Sequence, residues 1–257
     1  MLTLPDDGRG DPSFTSPPRI DIKGTVQRAL RRPVRTVIYL LLIVLFLEYL
    51  SLPNFQLQEL EKSNPRKTAL MTQREEEARS GGKQFSIQNK WLPLSRISPA
   101  LVHAVIVAED GTFYKHEGVD WYEVEESLEQ NLEKGKAMRG ASTISQQLAK
   151  NLFLSTSRDP LRKAKELIIT LRMERMLSKQ RILEIYLNVI EWGNGVFGAE
   201  AAARKYFGKS AADLTREEAA LMAAVIPSPL RHQPDQPTQY ILRRSSIILE
   251  RMNARGY

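Results

Sequence analysis

The sequence predicts a mainly α-helical protein carried behind one apolar N-terminal segment. Three observations predict it. Helix start and stop signals recur from about residue 98 onward, strand signals are weak, and a single apolar run stands alone near the N-terminus. The 257 residues are 42% hydrophobic and 26% charged, ordinary globular composition with room for one large domain or two small ones. With no cysteine, disulfides, thiolate nucleophiles and thiolate metal sites are excluded. His103, His116 and His232 show no metal-ligand spacing. The net charge of +7 favours an anionic partner without naming one.

Taken in order, residues 1–33 read as a disordered tail, rich in Pro, Gly, Asp and Ser and ending in the basic residues Lys23, Arg28, Arg31 and Arg32. Residues 34–52 read as a transmembrane anchor. The strictly uncharged part, Thr36 to Leu47, is short, but Arg35 to Leu52 is about 18 residues, roughly 27 Å of helix. Arg35 can snorkel at one end. The following "EYLSLPNF" lacks small residues in a cleavage pattern, so an uncleaved anchor is the reading preferred to a removed signal or a core helix. The basic flank puts the N-terminus in the cytoplasm and the remainder outside.

Residues 53–84 carry many charges and end in Ser80-Gly81-Gly82, a helical or flexible stalk. A globular domain is expected over 85–240 and a C-terminal helix over 241–257. Ser98-Pro99 reads as N-cap and first helical position of an apolar helix ending near Glu109. Asp159-Pro160 repeats the device before a long helix. Thr215 to Glu218 is a capping box before "AALMAAVI", and Gly208 is a C-cap. The best strand signal is "KQFSI". There is no internal repeat.

Three stretches carry chemistry. In "AEDGTFYKHEG", Glu109 and Asp110 close the apolar helix and His116 follows. In "RGASTISQQLAKNLFL", Ser142 or a neighbour caps a helix with the stripe Ile144, Leu148, Leu152, while Gln146 and Lys150 lie on another face. In "RDPLRKAKE", cations crowd around Glu166. Each has a plain reading as a solvated face or a core edge. Farther on, Glu184 and Asn188 form a narrow polar stripe on an otherwise apolar helix. Gly193, Gly195 and Gly198 then permit a tight turn, but they follow a helix, which argues against a dinucleotide loop.

Together these stretches resemble one family, the peptidoglycan glycosyltransferases of bacterial cell-wall synthesis. Its E-D-x-x-F-x-x-H-x-G pattern is met by Glu109, Asp110, Phe113, His116 and Gly118. Its G-x-S-T-I-x-Q-Q-x-x-K-N is met from Gly140 to Asn151, and its R-K-x-x-E by Arg162, Lys163 and Glu166. Later matches are "ILEIYLN", "AAARKYFGK" and "EAALMAAVIPSP". The resemblance covers roughly residues 85–235. The chain ends about twenty residues past the end of the resemblance, the expectation for a monofunctional member. One departure is "YEVEESLEQNLEKGK", acidic where many members are basic.

The resemblance implies a lysozyme-like, mainly α lobe with a smaller membrane-proximal jaw. It implies polymerisation of lipid-linked disaccharide (lipid II) onto a growing lipid-linked glycan, forming a β-1,4 linkage with inversion and release of undecaprenyl diphosphate. Glu109 is then the general base and Glu166 the second carboxylate. Lys150 and Arg158 contact the diphosphate, with Ser142, Thr143, Gln146, Gln147, Arg162 and Lys163 shaping the substrate site. Phe113, Gly118 and Asn151 are supporting. Asp110 and His116 are either structural or direct participants. No metal site is dedicated and no cofactor is obligatory, although Mg2+ or Mn2+ can assist at the substrate diphosphate. Expected partners are lipid II, the glycan, the membrane and other cell-wall or division proteins, with no nucleic acid. The expected location is the inner (plasma) membrane, single-pass, with the catalytic domain periplasmic or extracytoplasmic. A wall hydrolase or lytic transglycosylase would need no cationic diphosphate site. A tethered scaffold would tolerate Glu109→Gln.

Overall fold

The computed structural model describes residues 35–37, 39, 40, 43, 46–50, 52–134, 142–154, 156 and 160–257. The expected tail, residues 1–33, lies outside them, as do Gly140 and Arg158. The chain divides into two units, residues 1–51 and 52–257. In the first, the described residues from 35 to 50 are helical, and apolar side chains such as Leu40, Ile43 and Phe46 are exposed. Among the described residues no helix is long and apolar enough to cross a membrane, and several positions of the expected anchor are not among them.

The second unit is mainly helical. In chain order it holds α1 (Asn54–Lys62), α2 (Ala69–Ser80), β1 (Gln88–Asn89), α3 (Pro99–Glu109), α4 (Trp121–Lys134), α5 (Ile144–Phe153), α6 (Pro160–Met176) and α7 (Lys179–Val189). Then follow β2 (Glu191–Gly193), β3 (Val196–Phe197), α8 (Ala199–Phe207), α9 (Arg216–Val225) and α10 (Gln239–Ala254).

α3 is apolar on nearly every side, so it has to be surrounded. Leu101, Ala104 and Val105 are fully buried, and α9 and α10 pack against it. Pro99 opens the helix as expected, but Ser98 makes no side-chain cap; its hydroxyl donates to the Leu214 carbonyl at 3.1 Å. α5 packs on α6 and α7 through the predicted stripe Ile144, Leu148 and Leu152. The capping box at Thr215 and Glu218 forms, and Gly208 ends α8 in the left-handed conformation at φ +68°.

Residues 53–84, expected as a stalk, contain α1 and α2, and part of their surface is core. Leu57 and Leu60 join the main apolar cluster. The Arg181 guanidinium donates to the Leu60 and Ser63 carbonyls, each at 2.8 Å, and Arg74 grips Glu191 with two nitrogens at 2.9–3.1 Å. Of the charges that suggested a helical or flexible stalk, Arg74 is a strap to the core, and Arg181 supplies a second strap from α7.

The three strands run in the order β1-β3-β2, with β1 parallel and β2 antiparallel to β3. Pairing begins at Gln88, just past the expected "KQFSI". Gly195 turns the hairpin at φ +73°, and a Cβ there would sit 2.5 Å from the Ser86 carbonyl, so only glycine allows that approach. The polar stripe of α7 latches the chain ahead of α3. Asn188 accepts from the Leu92 N–H and donates to its carbonyl, both at 2.8 Å, and Glu184 accepts from Leu94 at 2.8 Å.

Candidate active site

The end of α3 opens into a cavity of about 830 Å³ whose walls include Glu109, Ser142, Thr143, Gln147, Lys150 and Arg244. Glu109 is the last residue of α3, and its side chain is 10% exposed. One carboxylate oxygen accepts from Gln147 Nε2 at 2.9 Å, the other from Arg244 Nη2 at 3.1 Å. Burial pushes its proton affinity above the ordinary carboxylate range. The Gln147 bond and Arg244 pull the other way, and Asp110 adds a smaller push upward. The rise prevails.

Gln147 is itself held. Its Oε1 accepts from the Tyr186 hydroxyl at 2.9 Å, and Tyr186 is fully buried on α7. Burial raises the phenol well above its usual range, so it stays neutral and donates. That donation fixes the amide with its NH2 toward Glu109.

Asp110 points the other way, into structure. Its carboxylate pairs with His116 Nε2 at 2.9 Å and accepts from the Ile144 N–H at 3.0 Å, at the N-terminus of α5. His116 Nδ1 accepts from the Gly118 N–H at 3.1 Å, so Nε2 carries the proton and donates to Asp110. Gly118 has φ +96°, and a Cβ would lie 2.9 Å from Thr170 and from Glu174. Thr143, not Ser142, caps α5. Its hydroxyl accepts from the Gln146 N–H at 3.2 Å and donates to the Gly118 carbonyl at 2.6 Å, and Gln146 Oε1 returns a bond to the Thr143 N–H at 3.0 Å. Adjacent glutamines thus have separate duties, Gln146 in the cap and Gln147 on the carboxylate. Phe113 is buried, with the Lys179 ammonium 4.5 Å from its ring centroid, and Asn151 is buried on α5.

Lys150 reaches the same cavity. Burial lowers its proton affinity, Glu166 resists, and Arg162 and Lys163 lower it further. Among the described residues no side chain pairs directly with Lys150. Glu166, 4% exposed, forms a neighbouring cluster on α6, bound by Arg162 at 2.9 Å and by Lys163. Lys163 also approaches the Ser142 hydroxyl at 3.5 Å, which links the cluster to the cavity. Arg158 lies outside the described residues.

Residue-by-residue reading of the sequence missed Tyr186 and the arginines in and just past α10. Arg244, Arg251 and Arg255 all line the cavity, and Arg255 donates to the Gly111 carbonyl at 2.7 Å. A signal was present: Arg244 falls three residues after Ile241 and four before Ile248, both buried, so it lies beside the helix's apolar stripe.

A desolvated carboxyl and half-buried cations sharing one cleft suit an enzyme that moves a proton on an anionic substrate. The transglycosylase family model matches residues 77–253, and the chain belongs to that family. Similar curated proteins are named biosynthetic peptidoglycan transglycosylase. The one from Nitrosospira multiformis is 50% identical over 74% of this chain and 82% of its own. That from Janthinobacterium is 47% identical over 74% and 83%. That from Rhodospirillum centenum is 54% identical over 65% and 71%.

Proposed function

We propose that the protein is a peptidoglycan glycosyltransferase that polymerises lipid II into β-1,4-linked glycan. The observation that carries the reading is Glu109, a carboxyl of raised proton affinity held in the cleft by a locked amide. In the reaction the acceptor sugar's hydroxyl gives its proton to Glu109. Its oxygen attacks the donor's anomeric carbon from the face opposite the leaving group, and the anomeric bond to undecaprenyl diphosphate breaks with the electron pair on phosphate. One displacement inverts the carbon. Neutralised diphosphate leaves without a protonated acid. Lys150 faces it, and Arg158 joins by match to the family motif. Glu166 holds Arg162 and Lys163 beside the cavity, which Lys163 reaches through Ser142. Asp110 and His116 brace the end of α3 against α5.

The finer expectations belong to the same proposal. They are a lysozyme-like lobe with a membrane-proximal jaw, a single anchor over 34–52, an inner-membrane location with the catalytic domain outside the cytoplasm, and recruitment by other cell-wall proteins. The exposed apolar side chains among residues 35–50 support the anchor. Mg2+ or Mn2+ can accompany the substrate diphosphate. Among the described residues no group of three or more His, Asp or Glu could hold a metal.

The test compares wild type with Glu109→Gln on fluorescent lipid-linked disaccharide. Polymer from wild type and a loss of about 10²–10⁴-fold in the folded variant is expected. Equal polymer from both would remove Glu109 as base. Shortening of finished, lipid-free glycan would turn the reading to a hydrolase.

A further inference from the structure

The two partners of Glu109 are not equivalent. Gln147 is tied through Tyr186 to the centre of the core and cannot leave without breaking a buried bond. Arg244 stands at the cavity wall, 29% exposed, and reaches the carboxylate through one nitrogen at 3.1 Å. Its Nε is buried and, among the described residues, has no hydrogen-bond partner. A guanidinium offers five donors in a planar fork and matches a phosphate with two of them. One N–H left unmet in a buried place makes the present pose a provisional one.

We propose that Arg244 is an exchangeable partner of the base: it pairs with Glu109 in the free enzyme and transfers to a phosphate oxygen of the lipid-linked substrate when that substrate binds. This rests on the reading of Glu109 as base. Arg244 is a positioning residue for Glu109 until the exchange. Its departure removes a charge that opposes protonation of Glu109 and empties a place on the carboxylate, so the base strengthens when the hydroxyl arrives. The other groups facing Glu109 stay in place. They are Asp110 beyond it, Lys150 and Gln147 on α5 and Tyr186 on α7, with Asp120, Glu123, Arg251 and Arg255 around the cavity.

The exchange predicts two different acid limbs. The limb of kcat/KM reports the free enzyme, where Arg244 is on Glu109, and the limb of kcat reports the complex, where it is not. In wild type the kcat limb lies at higher pH. In Arg244→Gln the two limbs coincide at the higher position, and kcat/KM at mildly acidic pH falls on the order of tenfold, the scale of one charge-assisted bond. Arg244→Lys retains a charge but not the fork, so its kcat/KM limb stays near wild type's while KM for lipid-linked disaccharide rises. The wild-type comparison alone tests the proposal should a variant fail to fold. Coincident limbs in wild type, or limbs still separated in a folded Arg244→Gln, would overturn it. A wild type that makes no polymer would overturn the reading beneath it as well.

Discussion

Glu109 and Glu166 are both glutamates that the family motif marks, and the molecule treats them in opposite ways. Glu109 ends a helix of apolar residues and is bound by an amide and by one nitrogen of a rim arginine. Glu166 lies inside α6 and takes Arg162 and Lys163 from its own helix, one turn back. Both side chains are buried, but Glu109 meets one cation through a single nitrogen whereas Glu166 is held by two from its own helix. A proton acceptor needs the former and an anchor for cations needs the latter. The contrast is what the proposed division of roles rests on, with Glu109 as base and Glu166 as holder of cations.

The largest effect that could break the contrast is Glu109→Gln. Activity is expected to fall by about 10²–10⁴-fold while the fold stays intact. The folded form raises this group's proton affinity, so the stability linked to its protonation is present below the unfolded-state value. It is lost as pH rises from the ordinary carboxylate range through the raised one. Above that window the variant should melt no lower than wild type, and at acid pH the difference should close. A melting temperature well below wild type at pH 8 would mean that Glu109 is structural.

Glu166→Gln should lose both properties. Removing the charge between Arg162 and Lys163 destabilises by about 2–3 kcal/mol, less than for a fully buried pair because Lys163 is half exposed. A variant with wild-type stability and no activity would place Glu166 in the chemistry beside Glu109.

Gly118→Ala probes the seam between the two regions. At φ +96° a side chain is strained, and its Cβ would press on Thr170 of α6. A loss of about 1–3 kcal/mol is expected by chemical denaturation. An unchanged midpoint would show that the seam gives way.

The smallest change is Lys150→Arg. Burial draws Lys150 below the ordinary lysine range, so the rate should fall on the alkaline side earlier than a free lysine would titrate. Arginine keeps its charge there, and the alkaline limb should move up. A limb that stays in place belongs to another group.

How much of this was legible in the sequence follows the range of each interaction. Pro160, the Thr215 capping box, Gly208 and the end of α3 are written in a few adjacent residues, and they stand where the signals put them. β1 was displaced because both its residues are exposed and leave no alternation to read. The leucines of α1 were hidden among exposed charges, and Arg74 of α2, one more charge in the sequence, meets its partner Glu191 across 117 residues. Tyr186 resembled one more apolar position on a buried helix, and its hydroxyl acquires meaning only beside Gln147, 39 residues away. Arg244 meets Glu109 across 135 residues, a distance that no local pattern spans.

That span also sets an order of birth. A ribosome delivers the base's helix, then Gln147, then Tyr186, long before it delivers Arg244. A nascent chain halted ahead of α10 would hold its carboxylate against the amide with the arginine side of the cleft still unmade. The enzyme therefore acquires its full complement of charge late in synthesis, after its core helices have had time to settle. Chains released early by truncation would present bare apolar surface on α3 where α10 belongs.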